Sequence, residues 1–138
     1  MIEKDRIALA EYRLQKAEDC LQSSEKLIKI EDYPTSLNRS YYAIFHSVRA
    51  LLALDGEDRR KHSGVISYFQ QNYVKSGIFK KKYSDIIQEA FEIRQESDYE
   101  DFYVVSKSDA ILQVEEAKDF INAVSEYIKN SEYNISTE

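Results

Sequence analysis

The scarcity of helix-breaking residues constrains this chain more than any other feature. Its 138 residues include three glycines and one proline, and the stretches between them carry apolar residues at spacings of three and four. This spacing places apolar side chains on one face of an α-helix, whereas a half-buried strand needs an alternating period of two. We therefore expect an all-α protein whose helices end at the few turn-forming residues.

Five helices are predicted between these breaks. They cover residues 4–29, 35–54, 64–74, 79–97 and 107–130. Tyr33-Pro34 separates the first two, because proline disfavours helix at the preceding residue and suits the first turn of the next helix. Gly56 and Gly77 mark two further breaks. Short connections favour antiparallel neighbours, so we expect an antiparallel up-and-down helical bundle.

Length and composition indicate one domain. A chain of 138 residues can bury a sizeable core, and no linker divides it. Residues 4–130 are therefore predicted to form a single helical domain, and residues 131–138 a frayed polar tail. The N-terminus is charged, no apolar run approaches the ~20 residues of a membrane span, and Cys20 is the only cysteine. These features predict a cytoplasmic protein that does not enter a membrane.

The chain is also rich in tyrosine, with 11 of them. A tyrosine buries its ring while its hydroxyl stays in water, which suits a small bundle or a dimer interface. Because the apolar and tyrosine-rich faces exceed what one bundle of this size needs, a homodimer is predicted. Stacking on nucleic-acid bases is the alternative role.

Two residues of the second predicted helix, Arg39 and His46, lie seven positions apart in Asn38-Arg39-Ser40-Tyr41-Tyr42-Ala43-Ile44-Phe45-His46. Seven residues are nearly two helical turns, so both side chains share one face, roughly 10 Å apart along the axis. Tyr42 and Arg49 recur on this face at steps of three and four. A cation beside a titratable imidazole suits the binding and cleavage of a phosphodiester, although a solvated surface shows the same pattern.

The charge distribution favours a small polyanionic target over broad binding to nucleic acid. A net charge of −6 disfavours salt-driven coating of nucleic acid. Residues 37–62 nevertheless hold five basic and three acidic side chains, a local excess of two positive charges. The chain lacks clustered histidines and cysteines, a glycine-rich phosphate loop and a serine nucleophile elbow. We therefore expect neither a metal nor a cofactor.

Several segments together closely resemble the HEPN domain family. They are residues 38–46, Arg49-Ala50-Leu51-Leu52, Lys61-His62-Ser63-Gly64-Val65, Phe79 and Arg94-Gln95-Glu96-Ser97-Asp98-Tyr99. Their order and spacing are similar to those of short, free-standing HEPN proteins catalogued as UPF0332, over about residues 5–130. The resemblance implies an antiparallel helical bundle that usually dimerises. It also implies, as in many members, a metal-independent ribonuclease with an Arg-x4–6-His motif at the dimer cleft.

On this resemblance, Arg39 and His46 are the catalytic motif. Candidate supporting or RNA-binding residues are Asn38, Ser40, Tyr42, Arg49 and His62. The resemblance further implies a minimal nucleotidyltransferase as antitoxin partner in a toxin–antitoxin or defence system. Active members often have Asn, Asp or His after the motif arginine, where this chain has Ser40. A second function therefore stays open: a non-catalytic module that binds a nucleotide or supports a nucleotidyltransferase.

Overall fold

Residues 3–137 form a bundle of five α-helices. In order they are α1 Lys4–Lys29, α2 Tyr33–Asp55, α3 His62–Phe69, α4 Lys81–Tyr99 and α5 Lys107–Thr137, with a π-helical turn, Gln70–Val74, continuing α3. The computed structural model describes the backbone of residues 3–137 and the side chains of residues 3–131. Within that range no residue is in a strand, and the predicted all-α class is confirmed. No helix over these residues has the length and hydropathy of a membrane span.

Hydrogen bonds between α1 and α2 show that the two helices are antiparallel. The hydroxyl of Ser36, early in α2, donates to the carbonyl of Ser24, late in α1, at 2.8 Å. At the other end, Nη1 of Arg13 donates to the carbonyl of Arg49 at 3.0 Å. The short connection between the helices therefore reverses the direction of the chain, as predicted.

The last two helices complete the bundle. Tyr83, near the start of α4, donates to Asp119 in the middle of α5 at 3.0 Å, whereas Ile93, near the end of α4, shares a groove with Asp109, near the start of α5. These helices are therefore antiparallel as well. In the resulting up-and-down arrangement, α2 contacts α1, α3, α4 and α5.

The core is built around α2. Its apolar stripe is at most 1% exposed and consists of Leu37, Tyr41, Ile44, Val48 and Leu51. The facing helix α1 contributes small residues at intervals of seven, Ala10, Ala17 and Ser24, and all three are fully buried. Small side chains at the contact allow two helix axes to approach closely. The polar face of α2 is thereby brought next to the flank of α1.

The helix boundaries show what fixes each end. The first helix covers the predicted residues, while α2 begins earlier than predicted because Asp32 caps it, its carboxylate accepting the Thr35 N–H at 3.3 Å. The last helix continues to Thr137 instead of ending near residue 130. Within it the Ser131 hydroxyl donates to the Tyr127 carbonyl at 2.9 Å. Most of the predicted polar tail, residues 131–138, lies outside the residues whose side chains are described.

Candidate active site

The imidazole of His46 is half-buried on the polar face of α2. Its Nδ1 atom is buried and has no hydrogen-bond partner among the described residues. Burial, and then the positive charges of Lys16, Arg49, Arg39 and Arg13, lower the pKa of His46 to about 4. Both effects disfavour the imidazolium. The side chain is therefore neutral at pH 7 and able to accept a proton.

A continuous row of side chains connects Arg39 to His46. Nη2 and Nε of Arg39 donate to Oδ1 of Asn38 at 2.9 and 3.3 Å. The guanidinium carbon lies 5.2 Å from the centre of the Tyr42 ring, and the rings of Tyr42 and His46 are 5.9 Å apart. Asn38 and Tyr42 thus orient the guanidinium from two sides, through a hydrogen bond and a cation–π contact.

A cleft of about 430 Å³ opens beside His46. Its lining consists of Tyr42, Phe45, His46, Arg49, Asp58, Arg59, Arg60 and His62. Within the lining, Nη2 of Arg49 is 3.8 Å from the carboxylate of Asp58, which is long for an ion pair and leaves the guanidinium available. Cationic and aromatic side chains in one cleft suit a phosphate with its attached base.

The first residue of α3, His62, is held in an aromatic stack on α2. Its ring lies 4.1 Å from that of Phe45 at an interplanar angle of 19°, and its Nδ1 is 2.7 Å from the Tyr41 hydroxyl. Burial, together with Arg94 and Arg49, lowers the pKa of His62, while burial raises the pKa of Tyr41. Both partners are therefore uncharged at pH 7, and the contact positions His62 at the wall of the cleft.

The aromatic side of the site is covered by Arg94 of α4. Its guanidinium carbon is 5.3 Å from the ring centre of Tyr41 and 5.1 Å from that of Tyr42. Its Nε atom is 3.4 Å from the Asp98 carboxylate but is not aligned for a hydrogen bond. Arg94 belongs to the segments that resemble the family, yet the sequence did not assign it to the site. Only the packing of α4 on α2 brings it there.

The position of Ser40 differs from that of the other predicted site residues. It is fully buried, and its hydroxyl donates to the Leu37 carbonyl at 3.0 Å and accepts a hydrogen bond from Nε2 of Gln113 at 2.6 Å. Gln113 also donates to the Leu37 carbonyl at 2.8 Å. These bonds join α2 to α5, so a role for Ser40 in positioning RNA by direct contact does not fit its location.

Two cations of α1 near His46 were missed by the sequence reasoning. Arg13 donates to the carbonyl of Arg49, and both Arg13 and Lys16 act on the charge state of His46. The sequence shows only that Arg13 and Lys16 lie three residues apart, beside the apolar stripe of α1. That spacing does not say which part of α2 the stripe contacts, and so it could not place them.

The fold and this site define a class of protein: an antiparallel helical bundle with an Arg-x6-His pair on its second helix, beside a cationic cleft. The family model described as the HEPN domain matches residues 10–133. The chain belongs to the HEPN domain family, as its sequence motifs predicted.

Proteins of several organisms are similar to this chain. A UPF0332 protein of Thermotoga maritima is 32% identical over 130 residues, which cover 94% of this chain and 97% of the relative. A Methanocaldococcus jannaschii protein named "Putative toxin MJ0142" is 31% identical over 118 residues, or 86% and 80% of the two chains. A UPF0332 protein of Archaeoglobus fulgidus is 32% identical over 111 residues, or 80% and 88%. The similarity thus extends over most of each chain.

Proposed function

We propose that this chain is a cytoplasmic, metal-independent endoribonuclease that acts as the toxin of a toxin–antitoxin or defence system. The observation that carries the proposal is the arrangement around His46. A neutral imidazole lies among Arg39, Arg49 and the cations of α1, and it lines a cleft large enough for a nucleotide. Two relatives carry the name "Putative toxin", which supports the biological role.

The proposed reaction uses a nucleophile that RNA itself supplies. Neutral His46 removes the proton of the 2′-hydroxyl, the 2′-oxygen bonds to phosphorus, and the bond between phosphorus and the 5′-oxygen breaks. The 5′-oxygen takes a proton from water or from the His46 imidazolium that the first proton transfer forms, and a 2′,3′-cyclic phosphate remains. The Arg39 guanidinium stabilises the negative charge that builds up on the non-bridging phosphoryl oxygens. Each of these steps can proceed without a metal ion.

The low pKa of His46 fits a base that works on bound RNA. In the free protein, burial and four cations disfavour the imidazolium. A phosphate bound among these cations cancels part of their repulsion, so the imidazolium formed by proton transfer becomes more favourable when substrate is present. Proton transfer is thereby coupled to phosphate binding.

Cleavage of RNA in the presence of EDTA tests the catalytic assignment. The wild-type protein is expected to cleave, and His46→Ala to lose at least about 100-fold in rate, because a general base commonly contributes that much. Lys26→Ala is the matched control, since this exposed residue of α1 lies outside the cleft lining. Equal cleavage by wild type and His46→Ala would remove the assignment.

We also propose that the active form is a homodimer. Support comes from the end of α4 and the segment after it, where Tyr99, Phe102 and Val104 are 81%, 96% and 83% exposed. Tyr103 and Val105 pack inward, so the segment is anchored while its alternate side chains face outward. Exposed apolar side chains grouped in this way are typical of an interface. Light scattering that shows only a 16.2 kDa species at micromolar concentration would contradict the dimer.

The proposed partner is a minimal nucleotidyltransferase that acts as antitoxin. Membership of the HEPN family is the support for this partner. The test is to co-express the chain with the product of the adjacent open reading frame. Growth arrest by the chain alone and its relief by a nucleotidyltransferase encoded there are expected. Growth arrest that persists with such a neighbour would contradict the pairing.

A second candidate function is a non-catalytic module that binds a nucleotide. The stack of Phe45 on His62 beside Arg59 and Arg60 favours it, because a base can stack on the rings and a phosphate can pair with the guanidinium groups. Calorimetry with nucleoside monophosphates and triphosphates tests this candidate. Nucleotide binding without RNA cleavage would support it, and RNA cleavage without nucleotide binding would remove it.

A further inference from the structure

We propose that Arg13 and Lys16 of α1 form, together with Arg39 and Arg49 of α2, an extended phosphate-binding surface for single-stranded RNA. The α1 cations hold a phosphate next to the one that is cleaved, and so fix the register of the strand in the cleft. This inference rests on the proposed function, because it names the part of the substrate that the neighbouring helix binds.

Close packing of α1 on α2 brings this flank of α1 to the site. Ala43, one helical turn before His46, is fully buried and packs in one cluster with Ala17. Because both contact residues are small, the two backbones approach closely at this point. Arg13 and Lys16 lie four residues and one residue before Ala17, so they emerge at the edge of the contact.

One hydrogen bond fixes Arg13 at this edge and leaves most of its donors unused. Nη1 donates to the Arg49 carbonyl at 3.0 Å, and the guanidinium makes no other hydrogen bond among the described residues. Over the residues that the structure describes, no carboxylate lies within ion-pair distance of Arg13, Lys16 or Arg39. Such a partly buried guanidinium can bind a phosphate through two parallel N–H donors.

Cys20 packs where α1 and α2 meet. This residue lies one turn beyond Lys16 and packs against the contact between the two helices. Burial raises the pKa of the Cys20 thiol, the charge of Arg39 opposes this effect, and the carboxylate of Asp19 and the charge of Lys16 act in opposite directions. Cys20 therefore lies near a cation of each helix, Lys16 of α1 and Arg39 of α2.

The charges on this surface favour the binding of an anion. Four cations act on one imidazole, while the nearby carboxylates of Asp58 and Asp19 are exposed, and that of Asp58 is 3.8 Å from Arg49. Like charges held together are unfavourable until an anion neutralises them. On a protein with a net charge of −6, this local concentration of positive charge selects a chain of phosphates and not a protein acid. RNA, with successive phosphates along its backbone, matches an elongated surface.

The salt dependence of RNA binding tests the inference. A fluorescent single-stranded RNA with 2′-O-methyl groups is used, because it lacks the nucleophile and stays intact with the wild-type protein. The logarithm of the binding constant is measured against the logarithm of salt concentration. Each lost phosphate contact lowers the magnitude of the slope by about 0.7. Arg13→Gln and Lys16→Gln are therefore each expected to lower it by about 0.7, and the double variant by about 1.4.

The control and the cleavage assay make each outcome decisive. Lys26→Gln removes the same charge from an exposed position of α1 and is expected to keep the wild-type slope. A double variant with the slope of Lys26→Gln, or a wild type that does not bind the RNA, would overturn the inference. If the wild type binds with the expected slopes but does not cleave unmodified RNA, the phosphate surface stands and the proposed ribonuclease function fails.

Discussion

The hydroxyl of Tyr41 lies 2.7 Å from Nδ1 of His62, which joins the buried stripe of α2 to the first residue of α3. The two residues are 21 positions apart, and the basic loop after α2 lies between them. The bond and the stacking of His62 on Phe45 close this loop over the cleft. One neutral hydrogen bond thus positions His62 at the site and holds the loop that carries Arg59 and Arg60 next to it.

Tyr41→Phe is expected to destabilise the protein by about 1–3 kcal/mol, because it leaves a partly buried ring nitrogen of His62 without its partner. The free energy of unfolding in urea measures the change. Tyr12→Phe is the matched control, since Tyr12 is 59% exposed and its hydroxyl makes no hydrogen bond with a described residue. An unchanged midpoint for Tyr41→Phe would show that this bond adds nothing to stability.

Ser40→Ala is expected to lower stability by about 1 kcal/mol while leaving kcat/KM for RNA near that of the wild type. The reason is that the Ser40 hydroxyl bonds to Gln113 and Leu37 inside the bundle. Asn38→Ala should instead lower kcat/KM for RNA and leave stability near that of the wild type, because the Asn38 side chain accepts a hydrogen bond from the Arg39 guanidinium. Urea unfolding and initial cleavage rates separate the two effects. A loss of cleavage in Ser40→Ala as large as that in Asn38→Ala would show that Ser40 contributes to the site.

Acid is expected to weaken the fold through His46. The pKa of this side chain is about 4 in the folded protein, whereas that of an unfolded histidine is about 6.5. Between these values the unfolded chain binds a proton that the folded chain does not, so stability falls as the pH is lowered from about 6.5 to about 4. For this half-buried group the loss is about 1–3 kcal/mol.

The pH dependence is measured as the difference in unfolding free energy between wild type and His46→Gln. The cations that face His46 are Arg13 and Lys16 from α1 and Arg39 and Arg49 from α2, and they stay charged throughout this pH range. The difference should therefore belong to the imidazole. A difference that stays constant from pH 7 to pH 4 would show that His46 has an ordinary pKa in the folded protein.

Ala17→Leu is expected to destabilise the protein by about 1–3 kcal/mol, because a larger side chain does not fit where Ala17 packs with Ala43 and Ile121. It should also lower RNA cleavage by moving α1 away from α2. Ala8→Leu makes the same change at an exposed position of the same helix and should leave both properties unchanged. Urea unfolding and cleavage rates are the measurements. Wild-type stability in Ala17→Leu would mean that the helices are not closely packed there.

The sequence could have placed Ser40 correctly. Neighbouring residues of a helix are rotated by about 100°, so a residue next to Arg39 cannot share the face of Arg39 and His46. Ser40 instead falls on the side of Leu37 and Ile44, which is buried. The resemblance to the family implies a role for the residue after the arginine, whereas helical geometry places that residue on the buried side of α2.

The charge around His46 could not be predicted in this way. Arg13 lies 33 residues before His46 and Lys16 lies 30 residues before it. Periodicity shows which face of each helix is apolar, but it does not show which helices become neighbours or how they slide along each other. The cations of α1, and the pKa of about 4 that they and burial produce, depend on that packing.

The sequence alone determined the all-α class, the approximate helix positions and the alignment of Arg39, Tyr42 and His46 on one face, because these follow from local backbone geometry with a period of 3.6 residues. The tertiary structure decided which side chains from other helices reach that face, namely Arg13 and Lys16 from α1, His62 from α3 and Arg94 from α4. It also decided the protonation of His46. Burial and charge–charge interactions depend on distances in space, and those are fixed when the small residues of α1 pack against α2.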